Sequence, residues 1–149
     1  MNPDAKARLL VDQLQTVLEG TEGAVKQSPA LDESLSKQEI CVLRALGRHE
    51  RCIMSAIAGA IRLSLSSATG LIDRLVEKKL VRRDRSHEDR RVVQVELTDE
   101  GRELHEAALE AQVRFVRGGL KALSPEEQDE LLALLGKVSE RIRAAKARV

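Results

Sequence analysis

The sequence predicts a mainly α-helical fold that carries one small β-hairpin. Hydrophobic residues make up 42% of the 149 residues and charged residues 33%, a balance typical of a globular, helix-favouring chain. Apolar residues recur at three- and four-residue steps over most of the chain, but between residues 93 and 97 they alternate strictly with polar ones. Phe115 is the only aromatic residue, so we expect an aliphatic core that benefits from a dimer interface.

The N-terminal part of the sequence contains two helices with clear boundaries. Apolar residues at helical spacing predict the first over residues 4–27, and Ser28 with the following proline marks its end. Ser36 and Glu39 have the spacing of a capping box, in which each side chain binds a backbone N–H near the other. They predict a second helix that ends near Gly47.

Two helices separated by a short turn follow in the middle of the chain. A small strand at residues 51–53 precedes a short helix over residues 54–61, and Ser64 is a good N-cap for the next helix. The apolar positions of this later helix form one stripe, which leaves small and polar residues on the other side. The stripe consists of Ala68, Leu71, Ile72 and Leu75.

A hairpin and two long helices complete the predicted fold. Residues 80–85 and 92–97 are predicted to pair as strands around a polar tip. Thr98 caps a helix that reaches about Lys121, and Ser124 with its following proline and glutamates begins the last helix. The order of helix, turn, helix and hairpin is that of a winged helix-turn-helix.

Charge is concentrated around the hairpin although the whole chain has a net charge of only +1. Residues 74–91 contain eight basic and four acidic residues. Such a stretch is a candidate phosphate-binding patch, and a solvated charged face is the alternative that charge alone leaves open.

The helix after the turn is the candidate recognition helix, because a helix-turn-helix places its second helix in the major groove of DNA. Small side chains at its start allow close approach to bases and phosphates. Leu65 can touch a thymine methyl group, whereas Arg74 either contacts phosphate or pairs with a nearby acid. The candidate contacts are Ser64, Leu65, Ser66, Ser67, Thr69, Gly70 and Arg74.

The hairpin supplies a second set of candidate DNA contacts. Either Arg90 or Arg91 is expected to enter the minor groove, whose negative potential attracts arginine, and the sequence does not decide between them. Asp89 is expected to hold one of these arginines extended through an ion pair. Phosphate contacts that position the protein are expected from Arg82, Arg83 and Arg85.

Four segments follow one another in a specific order and spacing. They are residues 64–75 (SLSSATGLIDRL), 77–83 (EKKLVRR), 89–91 (DRR) and 97–101 (LTDEG). With this combination, the chain from Leu35 to Leu104 resembles the MarR family of winged helix-turn-helix transcriptional regulators.

The resemblance implies a single domain over residues 1–149. Residues 35–98 would form the DNA-binding lobe, and residues 4–27 and 99–147 would be dimerisation helices. A homodimer would bind a pseudo-palindromic double-stranded DNA operator, and a small molecule can bind between the lobes in this family. The expected function is a sequence-specific repressor that a small molecule or an oxidant releases.

Two departures from the family pattern concern turns. The family usually has glycine in the turn between the two helices, where this chain has Arg62, and at the exit of the recognition helix, where it has Lys79. A side chain at either position must be accommodated on a left-handed backbone, which would lower the stability of the fold by about 1 kcal/mol per residue. Leu65 and Gly70 also replace residues that are often polar or basic in the family.

Two cysteines are candidate redox sensors. Cys41 lies in an apolar run, which favours a buried and inert thiol. Cys52 lies near Arg48, His49 and Arg51, whose positive charge favours the reactive thiolate.

Other function classes have little support in the sequence. It contains neither a P-loop nor a GxGxxG motif, and its three histidines lack the paired spacing of a zinc site, so we expect no enzyme, no cofactor and no metal. We also expect a cytoplasmic protein without a membrane partner, since no signal pattern or spanning segment is seen. The competing function is a winged helix that binds protein and not DNA.

Overall fold

The described part of the chain contains six α-helices and one three-stranded sheet. The structure is a computed structural model that describes residues 1–31, 34–86, 88–89 and 91–146, except for the side chain of residue 146. The elements are α1 (Pro3–Lys26), α2 (Lys37–Gly47), β1 (Cys52–Ile53), α3 (Met54–Ile61), α4 (Leu65–Glu77), β2 (Val81–Arg85), β3 (Val93–Leu97), α5 (Asp99–Leu120) and α6 (Pro125–Lys146). The predicted order of elements is confirmed, and the predicted bounds differ from these by one residue or so.

The chain divides into two compact units, residues 1–112 and residues 113–149. The first unit contains α1 to β3 and most of α5, and the second contains the end of α5 and α6. That the whole chain acts as a single domain therefore remains a prediction.

The sheet has the order β1-β3-β2, and both pairings are antiparallel. Val95 of β3 lies between Cys52 and Arg83, and Val81 pairs with Leu97. Because alternate side chains point to opposite faces of a sheet, Val81, Val95 and Leu97 are all buried on one face. The other face is left for charged side chains.

The main aliphatic core holds α4 against α2, α3 and the sheet. Ile72 and Leu75 belong to the predicted apolar stripe of α4 and are fully buried. Val42 and Val95 are fully buried beside them. Each such side chain contributes about 1.5–3 kcal/mol to the free energy of folding. This packing makes the position of α4 a property of the core.

A second cluster joins the end of α1 and the following loop to α5. It consists of Val25, Leu31, Ala108 and Ala111. The α5 segment lies close to β2 at Gly101, where an added Cβ would lie 1.9 Å from the carbonyl oxygen of Leu80. This contact requires glycine at position 101.

Two non-glycine residues have positive φ, among those that the structure describes. Arg62 ends α3 with φ 55°, and Lys79 follows α4 with φ 61°. These are the two turns at which the resemblance implies glycine, so the expectation of a left-handed backbone is confirmed at both. Each side chain costs about 1–2 kcal/mol there, because the left-handed conformation brings Cβ close to the carbonyl oxygen.

The terminal helices expose large apolar side chains within their own units. On α1 these are Leu9, Val11, Leu14, Val17 and Leu18. On α6 they are Leu131, Leu132, Leu134, Val138 and Ile142. Apolar faces of this size are characteristic of surfaces that contact another protein.

Candidate nucleic-acid interface

Helices α3 and α4 form the helix-turn-helix. They are bent by 103° at the break between them, within the range of about 90–120° for this motif. The turn ends at Ser64, whose Oγ accepts a hydrogen bond of 3.1 Å from the backbone N–H of Ser67 and donates one of 2.9 Å to the Ser67 hydroxyl. Ser64 is therefore the N-cap of α4, as the sequence predicts.

The first turn of α4 presents its side chains to solvent. Ser64, Ser66 and Ser67 are exposed, and Leu65 is 55% exposed, which is unusual for a leucine beside a packed core. Thr69 is half-buried, and its hydroxyl donates a 2.8 Å hydrogen bond to the carbonyl of Leu65. The exposed polar and apolar groups lie together, opposite the buried stripe.

Gly70 is half-buried and faces open space, since no atom lies within 4 Å of an added Cβ. A surface without a side chain at this point of a helix permits another molecule to approach the backbone closely.

Arg74 lies on the side of α4 that faces α2. Its Nε lies 3.6 Å from Oε1 of Glu39, and about half of the side chain remains exposed. Arg74 was expected either to contact phosphate or to pair with a nearby acid, and in the structure it pairs with Glu39.

Glu39 joins the start of α2 to the end of α4. Its carboxylate is almost fully buried and accepts hydrogen bonds from the backbone N–H of Ser36 (2.8 Å) and from Nζ of Lys78 (3.0 and 3.1 Å). Lys78 also donates to the carbonyl of Ser34 at 2.8 Å. Burial alone would raise the pKa of Glu39, but the bonds from Ser36 and Lys78 outweigh it and hold this pKa below its ordinary value.

Sequence reasoning found the capping box but missed this link. Glu39 and Lys78 are separated by 39 residues, so no local pattern reports their contact.

Arg83 braces the wing against the recognition helix. Its guanidinium lies 2.6 Å from Oδ1 of Asp73 and donates a 3.2 Å hydrogen bond to the carbonyl of Thr69, both on α4. One predicted phosphate-binding arginine thus sets the position of β2 relative to α4.

Arg82 belongs to a ladder of charges across the sheet. It pairs with Glu96, its direct neighbour on β3, and lies 3.8 Å from Asp84. Arg51 donates to the same Glu96 carboxylate at 3.0 Å. Burial would raise the pKa of Glu96, but the two guanidinium groups hold it below its ordinary value. Arg82 remains well exposed, with part of its charge balanced by these acids.

Two arginines near the wing tip have no acidic partner among the described residues. Arg85 and Arg91 are exposed, and neither forms an ion pair with a described residue. Oδ1 of Asp89 accepts a 2.9 Å hydrogen bond from the backbone N–H of Arg91, and the Asp89 carbonyl accepts one from Val92. Asp89 thus shapes the backbone of the tip, and its expected ion pair with one of the two arginines stays a prediction. Arg90 lies outside the described residues.

The two cysteines are free thiols, and both are half-buried. Burial raises the pKa of the Cys52 thiol. This burial acts against the thiolate that Arg48, His49 and Arg51 were expected to favour, because desolvation penalises the charged form. A redox role for Cys41 or Cys52 stays a prediction. Cys41 is less buried than its apolar surroundings in the sequence suggest.

No group of three or more His, Cys, Asp or Glu side chains in the described part of the chain is arranged to hold a metal ion. Among the described residues, no single helix is both long enough and apolar enough to cross a membrane. Helices α3 and α4 meet the criteria of length and apolar content only when they are taken together as one bent pair.

The model of the MarR family matches residues 35–93. The chain is 35% identical over 80 residues to the uncharacterized HTH-type transcriptional regulator YfiV of Bacillus subtilis, covering 54% of this chain and 50% of that protein. It is 39% identical over 74 residues to the HTH-type transcriptional regulator PecS of Dickeya dadantii, covering 50% and 45%. The chain thus spans about half the length of the curated relatives it matches.

Solved structures match nearly the whole chain. A MarR family protein from Bacillus stearothermophilus has a TM-score of 0.81 and 21% identity, covering 96% of this chain and 99% of that one. Streptococcus pneumoniae FabT in complex with DNA has a TM-score of 0.74 and 22% identity, with the same coverage. Bordetella bronchiseptica BpsR, whose DNA binding is regulated by 6-hydroxynicotinic acid, has a TM-score of 0.62 and 26% identity, covering 88% and 98%. The helix-turn-helix and wing of the chain are thus similar to the MarR family over residues 35–93, and its fold is that of these solved structures.

Proposed function

We propose that the chain is a homodimeric transcriptional repressor that binds a specific double-stranded DNA operator and is released by a small molecule. The observation that carries the proposal is the exposed first turn of α4 beside a wing tip with unengaged arginines. Both curated relatives are named as transcriptional regulators, which supports a regulator over an enzyme. The proposed repressor would act in the cytoplasm, where it meets its DNA.

In the proposed complex, α4 lies in the major groove. Ser66, Ser67 and Leu65 approach base edges, while Gly70 leaves room for close contact. Arg85 and Arg91 contact phosphates or the adjacent minor groove. Arg83 contributes by holding the wing at the correct distance from α4, since Asp73 already occupies its guanidinium.

The exposed apolar faces of α1 and α6 support the homodimer, because burial of such faces in a second copy is favourable at about 25 cal/mol per Å². A two-fold dimer would read two half-sites about one helical turn apart, and therefore a pseudo-palindrome.

Release by a small molecule is supported by the likeness to BpsR, a protein whose DNA binding is regulated by 6-hydroxynicotinic acid. Release by an oxidant has weaker support, since burial of Cys52 disfavours its thiolate.

The first experiment selects bound duplexes from a random-sequence library and measures affinity for the selected site over a salt series. We expect affinity to fall steeply with salt, because Lys and Arg contacts release counterions from DNA. Arg85→Ala and Arg91→Ala should each weaken binding and reduce the salt slope by about one.

Arg102→Ala is the matched control, because Arg102 is an exposed arginine on α5 and is not among the residues proposed to contact DNA. It should leave affinity and slope unchanged. If no sequence is enriched and binding does not depend on salt, the DNA-binding proposal fails and a protein-binding winged helix becomes the better explanation.

A further inference from the structure

The first two turns of α4 lack the side chains that identify a base pair by two hydrogen bonds. Reading of this kind uses arginine or lysine for guanine, and asparagine or glutamine for adenine. Residues 65–72 contain none of these four amino acids. Of the charged side chains that follow, Asp73 is paired with Arg83. Arg74 is paired with Glu39. In the major groove, the start of α4 must therefore recognise bases by other means.

The hydroxyl groups in these two turns do not choose one base. The Thr69 hydroxyl donates its hydrogen to the carbonyl of Leu65 at 2.8 Å. The Ser67 hydroxyl accepts a bond of 2.9 Å from Ser64, and Ser66 is exposed. Because a hydroxyl group both donates and accepts, it bonds to the edges of different bases. The serines can thus add affinity in the groove, but they add little discrimination.

Leu65 is the apolar side chain that these turns expose. It is 55% exposed, whereas the other apolar side chains of residues 65–72 are buried. Side chains of a helix lean toward its N-terminus, so Leu65, at the first helical position, leans past the end of α4. The cap of Ser64 and the bond from Thr69 fix the backbone around it. An exposed leucine is common on protein surfaces, but this one is held on the turn that is proposed to meet DNA.

The C5-methyl group of thymine is the apolar group that DNA bases present in the major groove. A leucine pressed against a hydrogen-bonding edge would desolvate polar atoms without pairing them, which is unfavourable. A leucine against the methyl group removes apolar surface of both partners from water, which is favourable. The chemistry of Leu65 therefore matches a methylated pyrimidine.

We propose that Leu65 makes α4 a reader of the C5-methyl group of a pyrimidine, with one such base opposite Leu65 in each half-site of the operator. This inference rests on the proposed function, since it names the base that the proposed α4 contact selects. Because the methyl group is recognised and the hydrogen-bonding edge is not, 5-methylcytosine should substitute for thymine. Uracil and unmethylated cytosine should not.

The test uses wild-type protein and a duplex selected from the random-sequence library, with affinity measured by fluorescence anisotropy at one salt concentration. Each thymine is replaced in turn by deoxyuridine, in both half-sites together. Deoxyuridine keeps the pairing with adenine and every hydrogen-bonding group, and lacks only the methyl group. At the thymine opposite Leu65, affinity should fall about fourfold per methyl group, the change that corresponds to one buried CH₂ group, and so about fifteenfold for the two half-sites.

A second substitution separates the methyl group from the identity of the base pair. At the same position, the thymine–adenine pair is replaced by cytosine–guanine, and then by 5-methylcytosine–guanine. The methylated duplex should bind about fourfold more tightly per half-site than the unmethylated one. Equal binding of these two duplexes would overturn the proposal, because recognition would then depend on hydrogen bonds or on the shape of the groove.

Two protein variants assign the effect to one side chain. Leu65→Ala should weaken binding to the thymine duplex and bring the ratio of thymine to deoxyuridine affinity close to one. Val76→Ala is the matched control, because Val76 is an exposed apolar residue of the same helix that lies about 16 Å further along it. It should keep the wild-type ratio. The duplex substitutions need no variant, so they test the proposal even if Leu65→Ala folds poorly.

The outcomes distinguish this inference from the function on which it rests. A selected duplex that binds tightly, but at which no deoxyuridine substitution weakens binding, overturns the inference and leaves the DNA-binding function intact. A thymine preference that Leu65→Ala does not change also overturns it, since another side chain would then contact the methyl group. If no sequence is enriched from the library, the proposed function fails and the inference fails with it.

Discussion

Replacement of Glu39 by glutamine tests the link between α2 and the end of the recognition helix. Glutamine keeps an oxygen that accepts the bond from the backbone N–H of Ser36, but it removes the charge that faces Lys78 and Arg74. The carboxylate is almost fully buried, so the lost attraction is weakly screened by water. The α4 helix should then be held less firmly at its C-terminal end.

The expected loss is about 1–2 kcal/mol in the free energy of unfolding. Two bonds from Lys78 to a carboxylate become at most one bond to a neutral amide, and a charge-assisted hydrogen bond exceeds a neutral one by about 1 kcal/mol. The full penalty of about 3–5 kcal/mol for breaking a buried pair does not apply, because Lys78 is partly exposed and water can reach its ammonium group.

Urea unfolding followed by circular dichroism measures this loss, at equal protomer concentration for every variant. A double-mutant cycle with Lys78→Met isolates the pair. Glu22→Gln is the control: Glu22 lies only 2.7 Å from Nζ of Lys37, but both side chains are well exposed and the loss should be too small to measure.

The same variant should change the acid limb of the stability curve. Because the folded pKa of Glu39 is below its ordinary value of 4.5, its contribution is present above pH 4.5 and is lost as pH falls through the folded pKa. Glu39→Gln should lack this loss. A coupling energy near zero, or a loss as small as that of the Glu22 control, would refute the reasoning.

Three further predictions concern residues whose surroundings are unusual. Gly101→Ala should lower the free energy of unfolding by about 3 kcal/mol or prevent folding, because the added Cβ would lie 1.9 Å from the carbonyl oxygen of Leu80. Gly70→Ala is the control and should not destabilise the fold, because Gly70 has open space around it. Thermal unfolding compares the two variants. The Nδ1 of His105 is buried without a hydrogen-bond partner, and burial lowers the pKa of this histidine below 6.5. The free energy of unfolding should therefore fall as pH drops through about 6.5, because the unfolded chain takes up the proton more readily. Urea unfolding of His105→Leu should show less of this fall. Lys79→Gly should raise the free energy of unfolding by up to about 1 kcal/mol by removing left-handed strain, and a loss of stability in urea would contradict the strain argument.

Local sequence patterns were enough to predict the order of the elements and, to within about one residue, their bounds. Helical spacing, strict alternation and capping boxes all involve residues within about four positions of one another, so local patterns reveal them. The left-handed backbone at Arg62 and Lys79 was expected from the resemblance, which implies glycine at both positions. The exposed first turn of α4 was also predictable, because the buried stripe defines the opposite face.

Which charged side chains are available for binding follows from the three-dimensional packing of the chain and could not be predicted from local patterns. In the sequence, the arginines of the wing look equivalent, but Arg83 is held by Asp73 and Arg82 by Glu96, while Arg85 and Arg91 are exposed without an acidic partner among the described residues. Each pairing joins residues ten or more positions apart. The energy of a charge depends on what surrounds it in space, and a chain that folds back on itself brings together partners that no sequence spacing reveals.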